Sequence, residues 1–74
     1  MDIRHIIKLD KLIKSERTGK PSELALNMAL SERTIFNYLE FMRTHLKAPI
    51  KWNRYKNTYY YELSGQFNFE WRSN

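Results

Sequence analysis

Ser31-Glu32-Arg33-Thr34-Ile35 is the stretch on which the reading of this chain turns, inside a longer run from Ser22 to Leu46. The Ser31 hydroxyl suits an N-cap, accepting from an otherwise orphan backbone N–H, and Glu32 sets negative charge against the positive end of a helix dipole. A helix is expected to start here. Onward from Ser31, Ile35, Leu39, Met42 and Leu46 fall on one stripe, with Tyr38 at its margin. The spacing predicts a helix over about 32–46 with that stripe against a core. The other face carries Arg33, Asn37, Glu40 and Thr44, with Glu32 exposed at the tip. Arg matches guanine and Asn matches adenine bidentately in a major groove, so this face suits reading base edges. A solvated helix face carries the same residue types, and the residues alone leave both readings open.

Just upstream, Ser22-Glu23-Leu24-Ala25-Leu26-Asn27-Met28 reads as a short helix over about 23–28 with Ser22 as its cap, followed by Ala29-Leu30 and then Ser31. Two short helices joined by three or four residues form a helix-turn-helix, in which the second enters the groove and the first braces across it. The run Leu24-Ala25-Leu26-Asn27-Met28-Ala29-Leu30-Ser31-Glu32-Arg33-Thr34-Ile35 resembles the "LA…LGVS.RTI" signature of bacterial helix-turn-helix regulators. The closest likeness is to the DeoR-like winged helix-turn-helix DNA-binding module, also found ahead of WYL-type effector domains. One departure stands in the turn, where the family commonly has Gly and this chain has Ala29; a left-handed backbone there costs an alanine about 1 kcal/mol or somewhat more.

Around this centre the rest of the chain falls into place. From Asp2, a plausible N-cap, to about Ser15, the residues Ile6, Leu9 and Ile13 make a stripe widened by Ile3 and Leu12 or Ile7, an amphipathic first helix over about 2–15. Its basic residues also fit a membrane-surface element, though the next two helices offer the stripe a nearer partner. Arg17-Thr18-Gly19-Lys20-Pro21 breaks the pattern: Gly19 is suited to the left-handed position at the helix end, and Pro21 forbids continuation. The resemblance covers this turn as well. Lys20 and Ser22 are candidates to touch phosphate.

After Lys47-Ala48-Pro49 the period changes to two. Ile50 and Trp52 point one way and Lys51 and Asn53 the other; past a turn at Arg54-Tyr55-Lys56-Asn57, Tyr59, Tyr61 and Leu63 share a face and Thr58, Tyr60 and Glu62 the opposite one. A hairpin over about 49–63 is predicted, and it resembles the wing of the same family. Lys51, Arg54 and Lys56 would meet the sugar-phosphate backbone or reach a minor groove. The interleaved tyrosines also suit stacking on single-stranded bases, but such rings more often pack a thin sheet on a helix. Ser64-Gly65-Gln66 reads as a turn, and Phe67, Phe69 and Trp71 alternate with polar residues. The aromatic segment 67–71 is expected to add a third strand to the hairpin or to form a dimer surface.

Composition narrows the classes. A chain of 74 residues suits a single domain without a separate sensing domain, burying about 60% of its unfolded surface. With 42% hydrophobic and 15% aromatic residues it is a folded globule, and with no cysteine it has neither disulfides nor thiolate metal sites. His5 and His45 alone make a poor metal site, so no cofactor or metal is expected. No apolar run approaches the ~18 to 20 residues of a membrane span, and the N-terminal run is too charged for a signal peptide, so a cytoplasmic protein is expected. The net charge is +5, and no Asp or Glu occurs from Phe41 to Tyr61, where Arg43, Lys47, Lys51, Arg54 and Lys56 supply the whole excess of 13 basic over 8 acidic residues. That block fits a phosphate-binding surface; an acidic protein or a membrane is the less favoured reading of the same charge.

The expected fold is therefore mainly α with a small β-wing, a winged helix-turn-helix of three helices plus a β-hairpin. The resemblance implies base reading by Glu32, Arg33 and Asn37, phosphate contacts by Ser31 and Thr34, a Phe36 that touches a thymine methyl or covers the helical joint, and a basic wing. Arg43, Lys20 and Ser22 join the candidate phosphate ligands. The implied partner is double-stranded DNA, with a second copy or a separate regulatory protein in addition, and no small-molecule ligand or membrane. A protein-interaction module of the same fold is the alternative. Catalysis has little support, since the histidines lack a nucleophilic Cys and no Gly-rich phosphate loop follows a strand.

Overall fold

The structure is a computed structural model and describes residues 1–63, 65–67 and 71–73. Three helices come first, α1 (Ile3–Lys14), α2 (Pro21–Met28) and α3 (Glu32–Thr44). An antiparallel hairpin follows, β1 (Ile50–Asn53) and β2 (Thr58–Tyr61), in which Ile50 faces Tyr61 and Trp52 faces Tyr59. The chain is thus mainly helical with a small β-wing, an arrangement compatible with the winged helix fold.

The stripes read from the sequence form the core. Ile6, Leu9 and Ile13 of α1, Leu24, Ala25 and Met28 of α2, and Ile35, Tyr38, Leu39 and Met42 of α3 are buried together with Ala48, Ile50 and Tyr59. In the wing, Ile50 and Tyr59 enter this cluster and Trp52 stacks edge-on against Tyr59, ring centres 4.9 Å apart. Tyr38 also reaches across to the start of α1: its hydroxyl accepts from the Asp2 N–H at 2.9 Å and lies 2.9 Å from His5 Nδ1. Asp2 in turn caps α1, accepting from the Arg4 N–H, and the Arg4 guanidinium bonded to it lowers its carboxyl to about 2.

The helix ends differ from expectation in ways that backbone chemistry explains. Pro21 opens α2 instead of preceding it, because the first helical residue needs no N–H partner and proline's fixed φ already suits a helix. Lys20 is therefore the N-cap residue and Ser22 sits inside the first turn, while Glu23 reaches back to accept from the Lys20 N–H at 3.0 Å. At the end of α1 the left-handed residue is Glu16, not Gly19: Glu16 N–H donates to the Ile13 carbonyl and Arg17 N–H to the Leu12 carbonyl, a Schellman closure. Gly19 is left-handed as well, at φ +69°, but it stands beside the Lys20 cap, where an added Cβ would lie 3.2 Å from that of Glu23. Helix α3 stops at Thr44, two residues short of the expected Leu46, and Lys47 takes a left-handed φ of 60°.

Two further corrections concern the strands. Thr58, expected on the wing's outer face, is buried at 1% exposure because it bonds to Thr18 in the loop before α2. The C-terminal segment does not extend the wing: Gly65–Phe67 (β3) and Trp71–Ser73 (β4) pair antiparallel with each other in a separate two-stranded sheet. Gly65 and Gln66, read as turn residues, belong to β3, whereas Ser64 and Phe69 lie outside the described residues.

Candidate nucleic-acid interface

Between α2 and α3 the chain turns in three residues, Ala29, Leu30 and Ser31. Ala29 adopts φ 54°, ψ 43°, a left-handed conformation that glycine takes without strain, and the turn closes through Leu30 N–H to the Ala25 carbonyl at 2.9 Å. Ser31 then caps α3, its Oγ accepting from the Thr34 N–H at 3.1 Å while donating to Thr34 Oγ1 at 2.9 Å. The Ser31 hydroxyl is spent within the cap. Thr34 keeps its own O–H proton for an outside acceptor.

The outer face of α3 presents Glu32, Arg33, Asn37 and Glu40, all exposed, with Phe36 on its flank at 47% exposure. Among the described residues, Arg33 and Asn37 make no hydrogen bond or ion pair, so both side chains stand ready for a ligand without breaking a contact of the fold. Lys20 and Ser22, at the start of α2, are exposed too.

Arg43 is engaged within the fold through its Nε. Its Nε–H donates to the Ile50 carbonyl at 3.1 Å, tying the last turn of α3 to β1 in a half-buried setting. It is a strut between α3 and the wing, and its charge also bears on Tyr59, opposing the upward shift that burial imposes on that hydroxyl.

The wing turn is built by Asn53, whose Oδ1 accepts from the Tyr55 and Lys56 N–H groups at 2.9 and 3.1 Å, and by Asn57 at φ 51°. At its tip the Arg54 guanidinium lies over the Tyr55 ring, 5.1 Å from the centroid, and Tyr55 is 83% exposed. Lys51 and Lys56 are less free than the sequence implies. Lys51 pairs with Glu62 at 4.0 Å, and Lys56 pairs with Glu16 at 3.6 Å, all on exposed side chains where such pairs contribute about 0–1 kcal/mol. Glu16 and Tyr55 thus belong to this surface although neither was singled out from the sequence. Glu16 lies 40 residues from its partner, and no local pattern announces that contact.

No cluster of three or more His, Asp or Glu side chains suited to a metal occurs among the described residues. No helix among them is long and apolar enough to cross a membrane. No family model, curated protein or solved structure matches the chain.

Proposed function

We propose that this chain is a small transcription regulator of the cytoplasm that binds double-stranded DNA sequence-specifically, with α3 in the major groove and the wing on the backbone. The observation that carries the reading is the pair Arg33 and Asn37: both exposed on the face of α3 turned from the core, both without an internal partner, one suited to guanine and one to adenine. Glu32 accepts from cytosine N4 in the same geometry. Thr34, Lys20 and Ser22 supply phosphate contacts at the two helix starts, and Arg54, Lys51 and Lys56 supply them from the wing. Ser31 orients Thr34, and Arg43 holds wing and helix in fixed relation.

A single module of this kind buries roughly 600–1,000 Å² on DNA, so two copies on a palindrome or a second protein would add affinity. Occupation of a site would exclude polymerase. The test is fluorescence anisotropy with a labelled random duplex at rising salt. The expected result is binding at low salt whose log K falls steeply with log salt, as phosphate contacts release counterions. Salt-insensitive binding, or none at low salt, would point instead to a protein-interaction module of the same fold.

A further inference from the structure

Away from these residues, α1 on one side and the end of α3 with the residues just past it on the other flank a groove of about 470 Å³. Ile3, Ile6 and Ile7 form one wall, Phe41 and Leu46 the other, and Asp10 is the charged residue among those lining it. Ile3 is 64% exposed and Ile7 49%, although both belong to a helix whose neighbouring stripe is fully buried. Contiguous apolar surface of this kind marks an interaction site more often than isolated exposed side chains do.

The rim is positively charged. At 100° per residue Lys11 lies one turn beyond Ile7 on the outer flank of α1, with Arg4 on the same flank near its start and Lys14 near its end, and Lys47 follows Leu46 in the chain. The acids here are already engaged: Asp10 Oδ1 accepts from the Tyr61 hydroxyl at 2.7 Å, Asp10 Oδ2 pairs with Lys14 at 3.3 Å, and Asp2 is held by Arg4 at 2.9 Å. Lys11 and Lys47 have no ion pair among the described residues.

We propose that this groove docks an amphipathic helix of an acidic partner protein, its apolar side chains seated between Ile7 and Phe41 and its carboxylates facing Lys11 and Lys47. Charge selects this occupant. In a two-fold pairing of this chain through the groove, the same cationic rim would meet itself, like against like. An anionic membrane would satisfy the charge, but a concave floor with Phe41 and Leu46 at its far wall accepts side chains spaced three and four apart better than a flat lipid surface. The groove shares no residue with the α3 outer face or the wing, so a partner seated there leaves the face proposed for DNA uncovered.

The experiment is selection of random 16-residue peptides displayed on phage against the immobilised full chain, with Lys11→Glu and Ile7→Glu/Lys11→Glu panned in parallel after circular dichroism has confirmed their helix content. The expected result is enrichment of peptides with large apolar residues three and four apart among Asp and Glu, recovered roughly tenfold less on the double variant. Lys11→Glu alone, which leaves the apolar floor intact, should lose the preference for acidic sequences. Failure to enrich, enrichment without acidic residues, or equal recovery on the double variant would overturn the proposal. So would sedimentation showing a dimer that the double variant abolishes, or variant-sensitive binding to phosphatidylcholine vesicles containing one-quarter phosphatidylglycerol with no peptide enriched.

Discussion

The hydroxyls of Thr18 and Thr58 lie 3.0 Å apart, and the two residues are 3% and 1% exposed. Thr58 Oγ1 accepts from the Thr18 N–H at 3.2 Å, Thr18 Oγ1 accepts from the Tyr59 N–H at 2.9 Å, and the hydroxyls reach the Tyr59 and Gly19 carbonyls. Two side chains thereby satisfy the backbone of both the α1–α2 loop and strand β2, and the wing is fixed to the helical body at a distance of 40 residues in sequence. Thr18→Val leaves the buried Tyr59 N–H without an acceptor and should cost about 1–3 kcal/mol, read as a lower urea midpoint. Thr18→Ser keeps the hydroxyl and should recover most of that loss. Equal losses in both variants would mean that packing, not the hydrogen bond, holds the junction.

Ala29 gives a prediction of opposite sign. Its left-handed backbone is strained for any residue with a Cβ, and it is exposed, so a glycine loses no buried contact there. Ala29→Gly should raise stability by about 1 kcal/mol, the strain relieved exceeding the added freedom of the unfolded chain. An unfolding midpoint lower than that of the parent would contradict this.

Such details divide what the sequence discloses from what it does not. The helices and their buried faces were legible because periodicity is a local property, and with them the outward placement of Arg33 and Asn37 followed from Ile35 and Leu39 facing inward. Caps at Asp2 and Ser31 were legible for the same reason. Thr18 and Thr58 were not, since a threonine that pairs across the fold looks in sequence like one in water. Arg43, Lys51 and Lys56 looked like free cations for want of any signal of Ile50, Glu62 or Glu16 nearby. The end of α1 misled because a glycine stood three residues beyond the residue that took the left-handed conformation.

Alkaline pH should reveal the tyrosines. Burial raises the Tyr61 hydroxyl above its ordinary value, with its hydrogen bond to Asp10 adding to the effect, and burial raises Tyr59. In the unfolded chain both titrate near about 10. A proton held more tightly when folded stabilises the fold fully below that pH, and the contribution is lost as pH rises beyond it. Urea midpoints should therefore fall above about pH 10, and Tyr59→Phe and Tyr61→Phe should each flatten that fall. A midpoint that does not change above that pH, or that both variants leave falling as in the parent, would be the contrary result.

Glu16 is expected to restrain DNA binding. Its carboxylate lies 3.6 Å from Lys56 Nζ at the wing. Glu16→Gln should free that lysine and tighten binding to random duplex at low salt by roughly two- to fivefold, in line with an exposed ion pair. Affinity equal to or below that of the parent would show that Lys56 does not face phosphate.

The central claim is base reading by α3, and the most direct measurement is sequencing of the duplexes retained from a random pool by the parent, Arg33→Ala, Asn37→Ala and Arg54→Ala. The parent should enrich a defined motif. Arg33→Ala and Asn37→Ala should each lose preference at one or two positions, about 1–3 kcal/mol on the preferred site and little on random DNA, while Arg54→Ala should weaken all sequences alike and reduce the salt slope by about 1. No enriched motif at low salt, or helix variants whose retained pools match the parent's, would contradict it.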